Sequence, residues 1–456
     1  MATPRAISYL DRLGIDAMKS RRPSLHRMEA ICAALDHPER TIPAIHVGGT
    51  NGKSSIARIA SSVLDAAGLK VGTYTSPHLS TVRERLALAG EPLGDDTFQE
   101  VFEHLWPYLK RVEEQVGESL TYFEVVTAMY LLWAAEQPVD VSVVEVGLGG
   151  AWDATNVVNA PVGVVSNVGL DHTELLGSDR ETIAREKAGI AKAGAVVVTA
   201  ERTPSVLDVI SEVVKRAGAS LSLIDRDFEV LEDRPAVGGR YISVKTSANE
   251  YRDVLLSLYG RHQALNAAVA LEAVARFLPA KPLEQSIIEE ALVSTKVPGR
   301  LEVIQPRDGE APAVVLDVAH NPDGASTLVK ALADTLPFAR AVFVVGLVGD
   351  KDYEGIISEL TRVPCFLVLT QPPGERALPV ARLQEVVKRG GISHVTEPDV
   401  RKAVTVALSE ATAEDVVCIT GSHYVVGDVR ASLGEISDGR YAPPSTGRPA
   451  VAMEGQ

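Results

Sequence analysis

Ile42-Pro43-Ala44-Ile45-His46-Val47-Gly48-Gly49-Thr50-Asn51-Gly52-Lys53-Ser54-Ser55 runs from an apolar stretch through a glycine loop into helical spacing. It predicts a strand over residues 42–47 and a helix over residues 54–67. Glycines let backbone N–H groups turn inward around an anion, and a helix N-terminus adds a favourable dipole. Lys53 then stands where an ammonium reaches the β- and γ-phosphates of a nucleotide, and a following hydroxyl where it meets Mg²⁺. The residue five places before Gly52 is Val47, where the standard phosphate-loop pattern has glycine. A plain glycine-rich turn is the competing reading.

Outward from this loop, short Val- and Ile-rich runs alternate with helical stretches. Strands are expected at 70–75, 139–146, 162–168 and 195–199, and in a second series at 313–318, 341–348, 365–370 and 416–420. Continuous apolar strands separated by helices point to parallel sheets covered on both faces, hence α/β architecture. The expected fold is a P-loop-type N-terminal ATPase domain with a mostly parallel sheet, followed by a smaller Rossmann-like α/β domain. Residues 228–257, with the Gly238-Gly239 turn, have a β-like pattern. The expected division is 1–297, 298–436 and a loose tail over 437–456, rich in Pro, Gly, Ser and Arg.

The net charge of −15 argues against a nucleic-acid partner, which would need a basic face. Three scattered cysteines (Cys32, Cys365, Cys418) form neither a disulfide framework nor a zinc spacing. The N-terminus lacks the apolar core of a signal peptide, and the apolar stretch over 125–135 is too short to span a bilayer and reads as a buried helix. A cytoplasmic protein with no membrane partner is expected.

The loop variant Gly49-Thr50-Asn51-Gly52-Lys53 resembles that of the Mur ligase superfamily. Further strings follow in the order of its folylpolyglutamate synthase/dihydrofolate synthase branch. These are Thr75-Ser76-Pro77-His78-Leu79 with Glu84-Arg85, Leu120-Thr121-Tyr122-Phe123-Glu124, and Glu145-Val146-Gly147-Leu148-Gly149-Gly150 with Asp153-Ala154-Thr155-Asn156. After them come Asp171-His172, Glu186-Lys187-Ala188-Gly189-Ile190, Pro298-Gly299-Arg300-Leu301-Glu302, Asp317-Val318-Ala319-His320-Asn321-Pro322 and Thr420-Gly421-Ser422.

The resemblance implies an ATP-dependent ligase that activates a carboxylate as an acyl phosphate and joins it to glutamate. Its substrates would be ATP, glutamate and dihydropteroate or folate, with Mg²⁺ as cofactor and a monomeric chain. It puts Gly49, Thr50, Asn51, Gly52, Lys53, Ser54, Ser55, Asn266, Arg300 and Asp317 on the nucleotide. Loop spacing favours Ser54 as the Mg²⁺ hydroxyl, whereas relatives with glycine there shift the role to Ser55. Ser76, Glu145 and His172 become metal ligands. By residue type alone, Ser76 before a proline is a turn and a lone His172 is more often structural, but Glu145 closing a buried strand needs a partner. Lys187 looks like a solvated helix lysine, yet the family carries a carbamylated lysine there, which requires a neutral amine. His320 is implied on the nucleotide or on the incoming glutamate. Thr121, Tyr122, Phe123, Asp153 and Ala154 match the pteroate pocket, although Tyr122 and Phe123 read from sequence as core.

Ala151-Trp152 stands where the family commonly has Arg-Leu, which opens the question of the acceptor. Two alternatives follow from the same residues: a Mur-type enzyme acting on a nucleotide-linked precursor, and a nucleotide-binding switch without ligation. The first lacks an obvious UDP-binding segment before Gly48. A switch has no need of Glu145, His172 and Lys187.

Overall fold

The computed structural model describes residues 5–14, 24–307, 309–374, 376–437 and 439–442. The chain forms two compact units. Residues 1–232, 242–254 and 265–293 make the first, and 233–241, 255–264 and 294–456 make the second.

An eight-stranded sheet organises the first unit, in the order Glu91–Pro92, Leu86–Leu88, Val71–Tyr74, Val141–Glu145, Ala44–Gly48, Val162–Val165, Val196–Thr199, Ser220–Leu223. From Val71–Tyr74 onward all neighbours are parallel, and the two short strands at the edge are antiparallel. The central strands are buried end to end, as expected of valine-rich strands with helices on both faces. Register places Val47 opposite Glu145 and Gly48 opposite Val165. The carboxyl ends of three adjacent parallel strands therefore meet at the glycine loop, which is where open α/β sheets present ligands.

Helix Lys53–Ala66 follows the loop and turns Ile56, Ile59, Ala60 and Val63 into the core. The apolar stretch expected as a buried helix is Tyr122–Glu136, whose residues from Val125 to Ala134 are all buried. It packs with Phe98, Phe102, Leu105 and Leu109 of helix Asp95–Val116. No described helix is long and apolar enough to cross a membrane.

The β-like stretch forms three strands, in the order Glu250–Leu256, Gly239–Lys245, Glu229–Ala236. Two departures from expectation bear on the site. The strand predicted to reach 168 stops at Val165, and residues 166–169 turn over the glycine loop instead. The loose tail expected from 437 lies mostly outside the described residues, and its described start is packed: Tyr441 is buried and donates from its hydroxyl to Pro312 O at 2.7 Å.

The second unit carries a six-stranded sheet, ordered Glu302–Ile304, Ala313–Leu316, Val416–Thr420, Ala341–Val345, Cys365–Leu369, His394–Thr396. Only Glu302–Ile304 is antiparallel to its neighbour. Its core packs Val315, Phe343, Leu367 and Cys418 against Leu328, Leu332 and Leu383 from the flanking helices.

Candidate active site

The glycine loop has the backbone its glycines make available. Gly49 has φ 128° and Gly52 φ 85°, conformations that L side chains rarely adopt. A Cβ on Gly49 would overlap Ser166 Oγ, and one on Gly52 would fall 2.5 Å from Asn266 Oδ1. Asn266, expected near the nucleotide, thus lies directly against the loop.

Segment 166–169 fastens this loop from the neighbouring strand. Ser166 N donates to Gly48 O at 3.0 Å, and Thr50 N to Asn167 O at 2.9 Å. Asn51 N donates to Asn167 Oδ1 at 3.0 Å, Ser166 Oγ to Asn51 O at 2.6 Å, and Gly169 N to Thr50 Oγ1 at 2.9 Å. None of Ser166, Asn167 or Gly169 was singled out from sequence. The available signal was their position, immediately after a strand that ends level with Gly48.

Lys53 opens the helix, and its ammonium folds back on the loop, donating to Gly49 O at 3.2 Å and Thr50 O at 3.0 Å. Lys187 meets it there, donating to the same Gly49 carbonyl at 2.9 Å. Far from lying on a solvated face, Lys187 is only 4% exposed. Burial first, and the Lys53 cation second, lower its pKa to about 7, while Asp171, Glu186 and Asp153 act in the opposite sense. A substantial share of Lys187 is therefore an uncharged amine near neutral pH.

Glu145 is 1% exposed and stands at the end of its strand beside the loop. Its Oε1 accepts from Ser54 Oγ at 2.8 Å, and its Oε2 from Ser76 N at 3.0 Å. Ser55, the alternative hydroxyl, is buried in the helix. Ser76 Oγ is buried without a protein partner. A carboxylate flanked by two hydroxyls, one of them an orphaned acceptor, suits a small hard divalent cation. Among the described residues no three His, Cys, Asp or Glu side chains cluster as a metal site, so a cation here would need hydroxyl ligands as well. His172 sits in a left-handed conformation (φ 50°) after Asp171, with Nε2 3.9 Å from Asp171 Oδ1.

A second group surrounds Gly147-Leu148-Gly149-Gly150. Phe123 lies flat against Gly147, whose Cβ would come 2.5 Å from the ring. Tyr122 is buried with the Arg85 guanidinium 5.3 Å from its ring centre. Thr121 caps its helix in a reciprocal pair with Glu124, so its hydroxyl already serves the backbone. Asp153 is buried, and burial raises its pKa against hydrogen bonds from Leu148 and Thr155. Its Oδ2 accepts from Leu148 N at 2.8 Å and its Oδ1 from Thr155 N at 2.9 Å. Ala154 begins the short 3₁₀ turn that follows.

This loop is docked on the helix of Lys187. Ala151 N donates to Glu186 O at 3.0 Å, and Trp152 N to Glu186 Oε1 at 3.2 Å. The Trp152 ring packs beside Gly149 with Leu148 on the cluster of Val146, Ile183 and Ala188. Trp152 thereby lays a large, partly buried apolar ring on that cluster.

In the second unit, Asp317 is buried, its pKa raised by burial and lowered by Arg300. It accepts from Leu301 N at 2.8 Å and Ala319 N at 2.9 Å. Leu301 is held at φ 46° beside Arg300, and Glu302 pairs with Arg430 at 3.0 Å. His320 packs 5.4 Å from the His423 ring.

A phosphate loop at the centre of a parallel sheet, followed in the chain by a second α/β unit, is the layout of a Mur ligase. The Mur ligase middle domain matches residues 47–274, and the Mur ligase glutamate ligase domain matches residues 299–423. The dihydrofolate synthase/folylpolyglutamate synthase of Mycobacterium tuberculosis is 37% identical over 443 residues, covering 90% of each chain. The structure of Mycobacterium tuberculosis folylpolyglutamate synthase complexed with ADP and AMPPCP superposes with a TM-score of 0.87 at 37% identity, covering 94% of this chain and 99% of that one. A bifunctional folylpolyglutamate synthase/dihydrofolate synthase with Mn, AMPPNP and L-glutamate bound has a TM-score of 0.81 at 31% identity, with 95% and 100% covered. The chain belongs to the dihydrofolate synthase/folylpolyglutamate synthase family and is an ATP-dependent ligase.

Proposed function

We propose that this chain, using Mg²⁺-ATP, joins L-glutamate to 7,8-dihydropteroate, to the γ-carboxylate of reduced folates, or to both. The observation that carries this reading is the convergence of Lys53 and Lys187 on Gly49 O beside the Glu145, Ser54 and Ser76 oxygens. That set joins an anion-binding loop to a hard-oxygen pocket.

The pterin carboxylate takes the γ-phosphoryl group, with cleavage of the bond to the β-phosphate oxygen and departure of ADP. The glutamate amine then attacks the acyl carbon, loses a proton and expels phosphate. Much of the protein's contribution is positioning and charge neutralisation. Loop N–H groups and Lys53, swung from its own carbonyls, hold the phosphates. Glu145, Ser54 and Ser76, with His172 as a further ligand, would hold the Mg²⁺, and Ser55 keeps a second hydroxyl on this turn. A bound cation there would supply positive charge for the γ-phosphate. Lys187, buried and partly neutral, is the residue that reacts with CO₂, becoming a carbamate that contributes an anionic group beside the loop.

Phe123 offers a flat face to the pterin, and Thr121, Tyr122, Asp153 and Ala154 complete the wall around it. Asn266 serves the nucleotide next to Gly52. Arg300 and Asp317 contact the nucleotide, and His320 contacts it or the glutamate. The protein acts as a cytoplasmic monomer.

ADP release should require Mg²⁺, glutamate and a pterin together, with mass spectrometry showing one glutamyl unit added to the acceptor. Comparing 7,8-dihydropteroate with tetrahydrofolate separates the two activities. ADP release indifferent to glutamate would remove the ligase reading.

A further inference from the structure

Glu201 lies just past strand Val196–Thr199 and takes no part in the chemistry above. It is nevertheless a buried carboxylate with an unusual set of partners. Its Oε2 accepts from Val168 N at 2.9 Å, and its Oε1 from Arg202 N at 3.0 Å and Thr203 N at 2.9 Å. Arg180 completes the arrangement: its Nη2 donates to Glu201 Oε2 at 3.2 Å while its Nε donates to Val168 O at 2.8 Å.

Both polar groups of the Val168 backbone are thus held by one ion pair. Val168 is the middle of the segment whose other members fasten the glycine loop: Ser166 and Asn167 before it, Gly169 after it. Arg180 is also the first residue of the helix that carries Lys187. About 10 Å of helix separates the two, at 1.5 Å per residue. One carboxylate therefore ties the strap over the phosphate loop to the helix that aims Lys187 at Gly49 O.

We infer that Glu201, acting through Arg180 and the Val168 backbone, is a positioning residue for the nucleotide loop. This inference rests on the assignment of nucleotide binding to that loop. In Glu201→Gln an amide NH₂ must face either the Val168 N–H or the Arg202–Thr203 turn, and it cannot accept from either. The strap loses its height over Thr50 and Asn51, and the nucleotide loses a preformed cradle.

The test measures AMPPNP affinity by calorimetry on the full chain with Mg²⁺, alongside Tm and steady-state kinetics. Glu201→Gln should weaken AMPPNP by ~10-fold or more, the usual scale for partners that orient direct ligands. KM for ATP should rise while KM for glutamate stays unchanged. Arg180→Met, where the side chain is 39% exposed against 5% for Glu201, should shift affinity the same way by less, which keeps the test available should Glu201→Gln not fold. Glu272→Gln is the control: Glu272 is also buried in the same unit, accepting from Ser222 Oγ at 2.7 Å, Arg276 Nε at 2.6 Å and Ser247 N at 2.8 Å. None of these hydrogen bonds reaches the loop or residues 166–169, although its helix Arg261–Phe277 also carries Asn266. It should lower Tm and leave AMPPNP affinity unchanged.

Unchanged affinity in Glu201→Gln or Arg180→Met overturns the inference, and so does an equal loss in Glu272→Gln, which would trace the effect to general destabilisation. Lys53→Ala separates the underlying reading. If that variant loses AMPPNP while Glu201→Gln keeps it, only the positioning role fails. If Lys53→Ala keeps AMPPNP, the loop assignment fails and takes the inference with it.

Discussion

Lys187 shows how far one side chain's chemistry depends on what packs over it. Its neighbours in sequence, Arg185 and Glu186, mark a solvated face, and nothing in the helical spacing indicates burial. Tertiary packing makes the difference: a Cβ on Gly150 would fall 2.5 Å from Glu186 O, so glycine lets the loop over 150–152 close on the helix backbone, while the amine itself is received by Gly49 O. The consequence is testable by pH. Below about 7 Lys187 becomes increasingly protonated, and a protonated amine cannot take up CO₂. Activity of CO₂-depleted protein should therefore recover with added bicarbonate, quickly above pH 7 and poorly below it. Intact-mass measurement should show the adduct on the wild type and none on Lys187→Gln. Glu145 gives a second prediction at this scale. In Glu145→Gln one anionic oxygen becomes an NH₂ donor, facing either Ser54 Oγ or Ser76 N. Fold and Tm should change little, whereas kcat should fall by ~100-fold or more with weakened Mg²⁺ dependence, as expected for a direct ligand to a hard cation. Titrating Mg²⁺ against initial rate checks it.

At the scale of elements, legibility followed burial and length. The strands Ala44–Gly48, Val141–Glu145 and Val416–Thr420 were legible because full burial on both faces demands an unbroken apolar run. Leu86–Leu88 and Glu91–Pro92 were not, since two or three residues carry no period. The glycine loop was legible because its backbone requires glycine. Its strap was missed because residues 166–168 were read as the end of the strand over 162–168, whereas the strand stops at Val165 and only the register of neighbouring strands puts the segment over Thr50. Glu145 could be placed at a strand end from its context, while the orphaned Ser76 hydroxyl beside it is a product of tertiary packing. Gly49→Ala tests the loop. Holding a side chain at φ 128° against Ser166 should cost ~1–3 kcal/mol from strain alone, more if the strap is displaced. Denaturant midpoints should fall accordingly, and AMPPNP binding should be lost out of proportion to stability.

At the scale of the whole molecule, the sequence motifs were enough to identify the family, and the match of both Mur ligase domains agrees with them. The acceptor question raised by Ala151-Trp152 takes a narrower form in the structure. Trp152 is partly buried against the apolar cluster and Ala151 abuts Gly189, so the loop keeps its docking on Glu186 without arginine. Reaction type and nucleotide use should be unaffected, and any change should appear as a different KM for the pterin alone. Ala151→Arg, assayed against both dihydropteroate and tetrahydrofolate, should leave KM for ATP unchanged.

The most direct measurement follows oxygen. With the pterin carboxylate labelled with heavy oxygen, turnover in the presence of Mg²⁺-ATP and glutamate should move one labelled oxygen into inorganic phosphate, because an acyl phosphate hands its bridging oxygen to the departing group. Phosphate free of label during productive glutamate addition would contradict activation of the carboxylate by phosphoryl transfer.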